Sequence, residues 1–333
     1  MDSDEQLHWK INIKKWGCEL GFVAIGFTSA EPVDGLDQLL QARIDRGLAT
    51  PFEGKEVKQR IDPKAGWQDC QTITALAYPL PYTLPPQEGE GVIARSAVGE
   101  DYHRVLRQTL NRLVDIMRTN GWPGNLRWQV DTGPLVERAF AVRAGIGWIG
   151  RNQQLIIPGY GSFVVLALLL LDREIASDRS ISDQCGVCQS CVEVCPAHII
   201  GKEPFASKDC VSYLTQSKET LSPEECKRLG TGIFGCDSCQ DVCPHNQKRL
   251  KEEQTDLSPF SHRRGVDLLE TLNLSKREFQ ERFQVTAAGW RGKAVLQRNA
   301  YLAMQNVQDC RLKPWLSEHK KDKSIPPIIS SYL

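Results

Sequence analysis

The chain has 333 residues, 41% of them hydrophobic, enough for a sizeable core and for two or three domains. Its 41 Lys and Arg balance 41 Asp and Glu, so no global field draws it to nucleic acid or an anionic membrane, and any polyanion site has to be local. The longest apolar run, Phe163 to Leu171, is too short to span a bilayer, and the acidic start Met1-Asp2-Ser3-Asp4-Glu5 carries no export signature; the expectation is a cytoplasmic protein with no membrane partner.

The first fifty residues predict two helices. One carries Leu7, Ile11, Ile13, Trp16, Leu20 and Phe22 toward the core; the other, capped by Asp34, carries Leu36, Leu39, Leu40 and Ile44 before Gly47. Thr72 to Tyr78 reads as a buried strand, followed by a proline-rich loop. Residues 99–120 predict a long helix with Tyr102, Val105, Leu106, Leu110, Leu113, Val114 and Met117 on one face, and Leu126 to Val130 a strand. Val130-Asp131-Thr132-Gly133-Pro134 then leads into a predicted helix, with Asp131 or Thr132 suited to its cap and Pro134 to its first turn; from the residues alone, capping is the ordinary role of Asp131. Gly145-x-Gly147-x-x-Gly150 copies the spacing of a dinucleotide fingerprint, but it follows a helix instead of a strand, which excludes a nicotinamide cofactor. Gln153 to Ile157 and Phe163 to Leu171 predict a β-hairpin around Tyr160 and Gly161.

Nine of the twelve cysteines lie between Cys185 and Cys243, which favours metal or cluster binding over disulfides. Cys185, Cys188, Cys191 and Cys195, closed by Pro196, follow the C-x2-C-x2-C-x3-C-P spacing of two-cluster ferredoxins, in which the fourth thiol serves the other cluster. Four thiols in one run fit a zinc ribbon poorly. Cys236, Cys239 and Cys243-Pro244 repeat the ending, but Ile233 occupies the place of the first cysteine, so Cys210 or Cys226 has to stand in. Cys210, directly ahead of an apolar turn, is the favoured choice. Crossing then gives Cys185, Cys188, Cys191 and Cys243 to one cluster, and Cys195, Cys210, Cys236 and Cys239 to the other. Cys18, Cys70, Cys226 and Cys310 are expected to be buried apolar fillers.

Between His245 and Ala300 eleven Lys and Arg face seven Asp and Glu, with doublets at Lys248-Arg249, Arg263-Arg264, Lys276-Arg277 and Arg291-Gly-Lys293. These read as a solvated helical face, with a modest RNA-binding surface as the sharper alternative. Gly292 to Asn306 predicts one amphipathic helix like a unit of a HEAT-type repeat.

Six stretches, Gln59-Arg60-Ile61-Asp62-Pro63, Asp101-Tyr102-His103, Val130-Asp-Thr-Gly-Pro134, Glu137-Arg138, Ala144-Gly-Ile-Gly-Trp-Ile-Gly-Arg-Asn152 and Tyr160-Gly-Ser162, together with both cysteine runs, resemble the epoxyqueuosine reductase family across about residues 5 to 310. The resemblance implies an α+β chain: an N-terminal corrinoid-binding α/β domain over 1–175, a ferredoxin-like domain with two [4Fe-4S] clusters over 176–250, and a helical, HEAT-like region over 251–333 that helps hold tRNA. It also implies cobalamin as a cofactor, and reduction of epoxyqueuosine to queuosine at the wobble position of tRNA, with electrons passing from the clusters to the corrinoid. By the family motif Asp131 is the acid for the departing epoxide oxygen, its carboxyl kept protonated by a pKa raised beside a desolvated corrinoid. Gly150, Asn152, Leu155, Tyr160, Gly161 and Leu166 would line the corrinoid, the glycines by close backbone approach, with Arg60, Tyr102 and Asp131 as further contacts. The family's stand-in ligand ahead of Ser-Tyr-Leu-Thr falls on Cys210. The expected partners are tRNA carrying epoxyqueuosine and an external electron donor, acting on a monomer. Competing readings are a corrinoid reductive dehalogenase, disfavoured without a twin-arginine signal, a substrate-free electron carrier, disfavoured by the large first domain, and a zinc-dependent RNA-binding module.

Overall fold

The computed structural model describes residues 1–247, 257, 260, 263–322 and 325–333. In chain order the strands are β1 (Ala24–Ser29), β2 (Thr72–Pro79), β3 (Gly91–Ile93), β4 (Leu126–Gln129), β5 (Trp148–Ile149), β6 (Leu155–Ile156), β7 (Val164–Leu171), β8 (Gly232–Phe234) and β9 (Gly265–Val266). The main sheet runs β1-β2-β7-β4 with every pairing antiparallel. Its inner strands β2 and β7 are continuous apolar runs because helices cover both faces. Leu76 and Tyr78 pack with Ala167, Leu169 and Leu171 against the helices Ser3–Glu19 and Tyr102–Thr119. Ile73, Ala75 and Ala77 point the other way, toward Phe140 and Ala141 of the helix Glu137–Arg143, as the two-residue period of a strand requires.

Three local expectations are corrected. In the first helix Leu7 and Ile11 are exposed; the buried face is Trp9, Ile13 and Gly17, with the Trp9 ring edge-on to Trp122 at 5.0 Å. Asp34 does not cap the second helix, Leu36–Asp45, which starts from Gly35 in a left-handed conformation without a side-chain cap. The predicted hairpin is not made: β6 pairs with β5, while β7 is held between β2 and β4, leaving a single bridge from Ile157 to Gly161. β7 gains more by completing the buried sheet than by pairing with its two-residue neighbour.

A second sheet, β8-β3-β9, draws one strand from each of the segments 1–175, 176–250 and 251–333, so the three are stitched together. The helix Lys293–Asn306 reinforces that junction. Instead of presenting one apolar face, as expected of an amphipathic helix, it is buried all round from Val295 to Met304. Its Arg298 is 0% exposed, and its guanidinium donates to the carbonyls of Ser217 (2.7 Å), Leu214 (2.9 Å) and Glu219 (3.2 Å). Asn299 donates to the carbonyls of Thr215 (2.7 Å) and Ile233 (2.8 Å). These carbonyls follow Cys210 in the chain or belong to β8. Arg298→Met should therefore strand several buried acceptors and cost about 3 kcal/mol or more, read as a lower melting temperature accompanied by loss of iron from the Cys210 site.

Among the remaining thiols Cys70 is buried and Cys226 half-buried, but Cys18 and Cys310 are exposed, so the filler role fails for those two. No helix among the described residues is long and apolar enough to cross a membrane.

Candidate active site

The cysteine segment folds into two short helices, Ser190–Val194 and Ser238–Asp241, each starting beside its C-x2-C gap. Two groups of thiols result. Cys243 and Cys185 pack together beside Trp148 and Ile156, and burial followed by the fields of Cys185 and Cys188 pushes the Cys191 and Cys243 thiols up. Cys195, Cys210 and Cys239 share a second apolar pocket, which Cys191 borders. There burial, then the fields of Cys236 and Cys195, pushes Cys210 up to about 11, and Cys239 is raised by burial and by Cys236 and Cys210. Cys195, Cys210, Cys236 and Cys239 all line one cavity of about 360 Å³. Among the described residues no three His, Cys, Asp or Glu side chains converge on a single-ion point. The second set surrounds a space instead, as a cubane cluster requires. Cys226 lies outside both groups, with its Sγ 3.8 Å from the Leu221 carbonyl.

The Cys236–Cys243 loop is anchored by buried charge. Arg264 donates to Asp237 (3.0 Å) and Asp241 (2.9 Å), and the Arg95 backbone amide donates to Asp237 (2.8 Å). Arg264, expected in a solvated basic doublet, is thus spent inside the protein. Lys293 likewise donates to the Leu274 carbonyl (3.0 Å), and Arg277 pairs with Glu281 (2.8 Å). Lys248-Arg249 lies outside the described residues.

Asp131 stands at the turn after β4. It caps no helix, because the helix Glu137–Arg143 begins from Val136 without a side-chain cap; Asp131 itself adopts φ 51°, a left-handed backbone that aims its carboxylate at the start of the helix Tyr102–Thr119. There Asp101 caps the helix by accepting from the His103 amide (3.0 Å), which places Tyr102 and His103 in the first turn with their rings stacked at 4.1 Å. The Tyr102 hydroxyl donates to Asp131 Oδ2 (2.9 Å), and His103 lies between two carboxylates, Nδ1 at 2.7 Å from Asp101 and Nε2 at 3.0 Å from Asp131. Burial works to lower the His103 pKa, but the hydrogen bonds and charges of both aspartates outweigh it and push it up to about 9. The His103 hydrogen bond, acting against burial and helped by Tyr102, holds Asp131 below its ordinary value. In the protein alone Asp131 therefore does not have the raised pKa expected of it beside a corrinoid: His103 holds its carboxyl down. Burial pushes Glu137, which also faces Asp131, up to about 7.

The loop between Asp131 and Glu137 is clasped by Gln129, a buried residue no local sequence pattern reveals. Its amide nitrogen donates to the Leu135 carbonyl (2.9 Å) and to Glu137 (2.8 Å), and its oxygen accepts from the Leu135 amide (3.1 Å). Gln129→Leu should release the loop. Hydrogen exchange at residues 131–136 should speed up and turnover should fall, each by about tenfold for roughly 1.4 kcal/mol of lost bonding.

Asp131 opens on a cavity of about 870 Å³ that also exposes Arg60, Tyr102, Glu137 and Leu166. This cavity and the one lined by the second thiol set share Phe52, Arg138 and Gln154. Asn152 lines the thiol cavity, with its amide nitrogen buried and unpartnered among the described residues, a donor free for a ligand rich in amide or carboxylate oxygens. The other sequence-derived contacts lie elsewhere. Leu155 is part of the core below the main sheet, and Tyr160 packs at its margin. At Gly150 a Cβ would come within 2.5 Å of Ile156, and at Gly161 (φ 81°) it would collide with the Asn246 amide. Gly150 thus lies against Ile156 and Asn152, and Gly161 lets Asn246 reach the Ser162 amide at 2.6 Å.

A curated epoxyqueuosine reductase from Lactococcus garvieae is 34% identical over 315 residues, covering 93% of this chain and 90% of the relative. The chain belongs to the epoxyqueuosine reductase family. The family model described as epoxyqueuosine reductase QueG matches residues 60–132, and that of a 4Fe-4S double cluster binding domain matches residues 184–246. The structure of epoxyqueuosine reductase from Streptococcus thermophilus superimposes with a TM-score of 0.88 at 36% identity, covering 96% of this chain and 87% of that one. A crystal structure of an epoxyqueuosine reductase with an epoxyqueuosine-modified tRNA-Tyr stem loop gives the same TM-score at 33% identity, covering 94% and 85%. Within the family motif, the site adds His103, Glu137, Arg138 and Gln129 to the residues expected from sequence; the first three lie in stretches that carried the resemblance, without a role until the fold brought them to Asp131.

Proposed function

We propose that this chain reduces epoxyqueuosine to queuosine at the wobble position of tRNA, with two [4Fe-4S] clusters and a cobalamin. The observation that carries the reading is the junction of two cavities, one ringed by Cys195, Cys210, Cys236 and Cys239 and the other opening on the Asp131–His103 pair. Cys185, Cys188, Cys191 and Cys243 would hold the other cluster. Arg60, Tyr102, Leu166 and Asn152 are the side chains suited to hold the corrinoid. When bound, cobalamin supplies a reduced cobalt centre that passes electrons to the epoxide carbon.

The chain's own residues handle the proton. Asp101 fixes the His103 ring and supports its charged form, His103 donates to Asp131, and Asp131 presents to the departing epoxide oxygen one of the two protons with which it leaves as water. Tyr102 holds the second hydrogen bond to Asp131 and so fixes its orientation. The chain works as a cytoplasmic monomer that receives electrons from an external donor. Anaerobic incubation of the iron- and cobalamin-loaded protein with a reductant and an epoxyqueuosine-containing stem loop tests the reading: nucleoside mass spectrometry should show queuosine, and its absence from fully loaded protein overturns the assignment.

A further inference from the structure

Phe52, Tyr213, Trp290 and Arg291 form a patch at the rim of the two cavities. Phe52 is 44% exposed and Trp290 56%, unusual for large rings in contact with one another. The Phe52 ring meets Tyr213 at 5.2 Å and Trp290 at 5.1 Å. The Arg291 guanidinium lies 5.0 Å from the Phe52 centroid and 4.6 Å from that of Trp290.

Polar contacts hold these groups in place while leaving them open to solvent. The Trp290 indole donates to Gln216 Oε1 (3.0 Å), and Arg291 Nε donates to the Gln216 carbonyl (2.5 Å). The patch is therefore preorganised, with little side-chain entropy left to lose on binding. No acidic side chain pairs with Arg291 among the described residues, so the rings carry uncompensated positive charge. Phe52 belongs to both cavity walls, and Tyr213 and Gln216 to that of the thiol cavity. A ligand on the patch would thus be adjacent to one that enters toward Asp131.

Exposed rings with a guanidinium across them match the way unpaired RNA is bound: bases stack on aromatic faces and on arginine planes, and the cation favours the phosphate-bearing strand. An apolar protein partner would gain nothing from the unpaired charge. We propose that Trp290, with Phe52 and Arg291, stacks an unpaired nucleobase flanking the one delivered to the Asp131 cavity. This rests on the tRNA reading above and deepens it by assigning a recognition site to the anticodon loop.

The test uses iron- and cobalamin-loaded protein and an epoxyqueuosine stem loop carrying 2-aminopurine beside the modified nucleotide. Stacking should quench the probe on binding. Trp290→Ala should weaken binding by about tenfold and remove most of the quench. Trp290→Leu, which keeps apolar bulk but has no aromatic face, should behave like alanine, and Trp290→Phe should recover most of both signals. Iron content and melting temperature establish that each variant is folded. If wild type binds and quenches while the folded alanine and leucine variants match it within twofold, the stacking proposal is overturned and the tRNA reading stands. If loaded wild type does not bind the stem loop, the tRNA reading itself falls.

Discussion

Replacing Asp131 with asparagine should leave iron and corrinoid content intact and reduce epoxide reduction by roughly 10²–10⁴-fold, the range of a general acid. The substitution preserves volume, and the amide oxygen can still accept from Tyr102, so the pocket keeps its shape. Two things are lost: the group that hands the proton to the oxygen, and one of the two charges that stabilise protonated His103. His103 titrates near 9 in the intact site because hydrogen bonds to Asp101 and Asp131 overcome burial. A raised histidine pKa means that its stabilising contribution is fully present below the ordinary imidazole value and lost as pH rises through about 9. Single-turnover rates should therefore fall on the alkaline side near that pH in the wild type, and the limb should move to lower pH in any residual activity of Asp131→Asn. Full activity in that variant, or an alkaline limb that does not move, would remove Asp131 from the proton path.

Cys210→Ala should reduce the iron content from about eight to about four per chain and abolish turnover, whereas Cys226→Ala should retain about eight. Cys210 shares its pocket with Cys195 and Cys239 and feels the charges of Cys236 and Cys195, while Cys226 sits apart against the Leu221 carbonyl. The first cluster should survive, because Cys185, Cys188, Cys191 and Cys243 form the other group. Anaerobic iron and sulfide analysis of both variants reads the difference directly. Full iron in Cys210→Ala, or loss of iron in Cys226→Ala, would reverse the ligand choice.

The proximity of Cys243 to Cys185, and of Cys195 to Cys210 and Cys239, was legible because thiol spacing is a local property. The long helix Tyr102–Thr119 and the strand Thr72–Pro79 were equally readable from their periodicity. What the sequence concealed depended on distant partners. Leu7 and Ile11 match a helical stripe, yet the sheet receives Trp9 beside the expected Ile13. The helix Lys293–Asn306 has polar residues that read as a solvated face, but Arg298 and Asn299 point into backbone carbonyls more than 60 positions away. At the site, the family motif pointed to Asp131, but His103, 28 residues earlier in the chain, is what holds its carboxylate low, and only the fold brings the two together. Gly150 and Gly161 resemble ligand-facing glycines in a linear reading; their neighbours are Ile156 and Asn246.

A single-turnover experiment tests the central claim most directly. Protein loaded with both clusters and cobalamin is reduced anaerobically, freed of reductant, and mixed with one equivalent of epoxyqueuosine stem loop. Queuosine should form together with reoxidation of the clusters, and neither event should occur at a comparable rate in Asp131→Asn. Clusters that stay reduced while the stem loop remains bound and unconverted would contradict it.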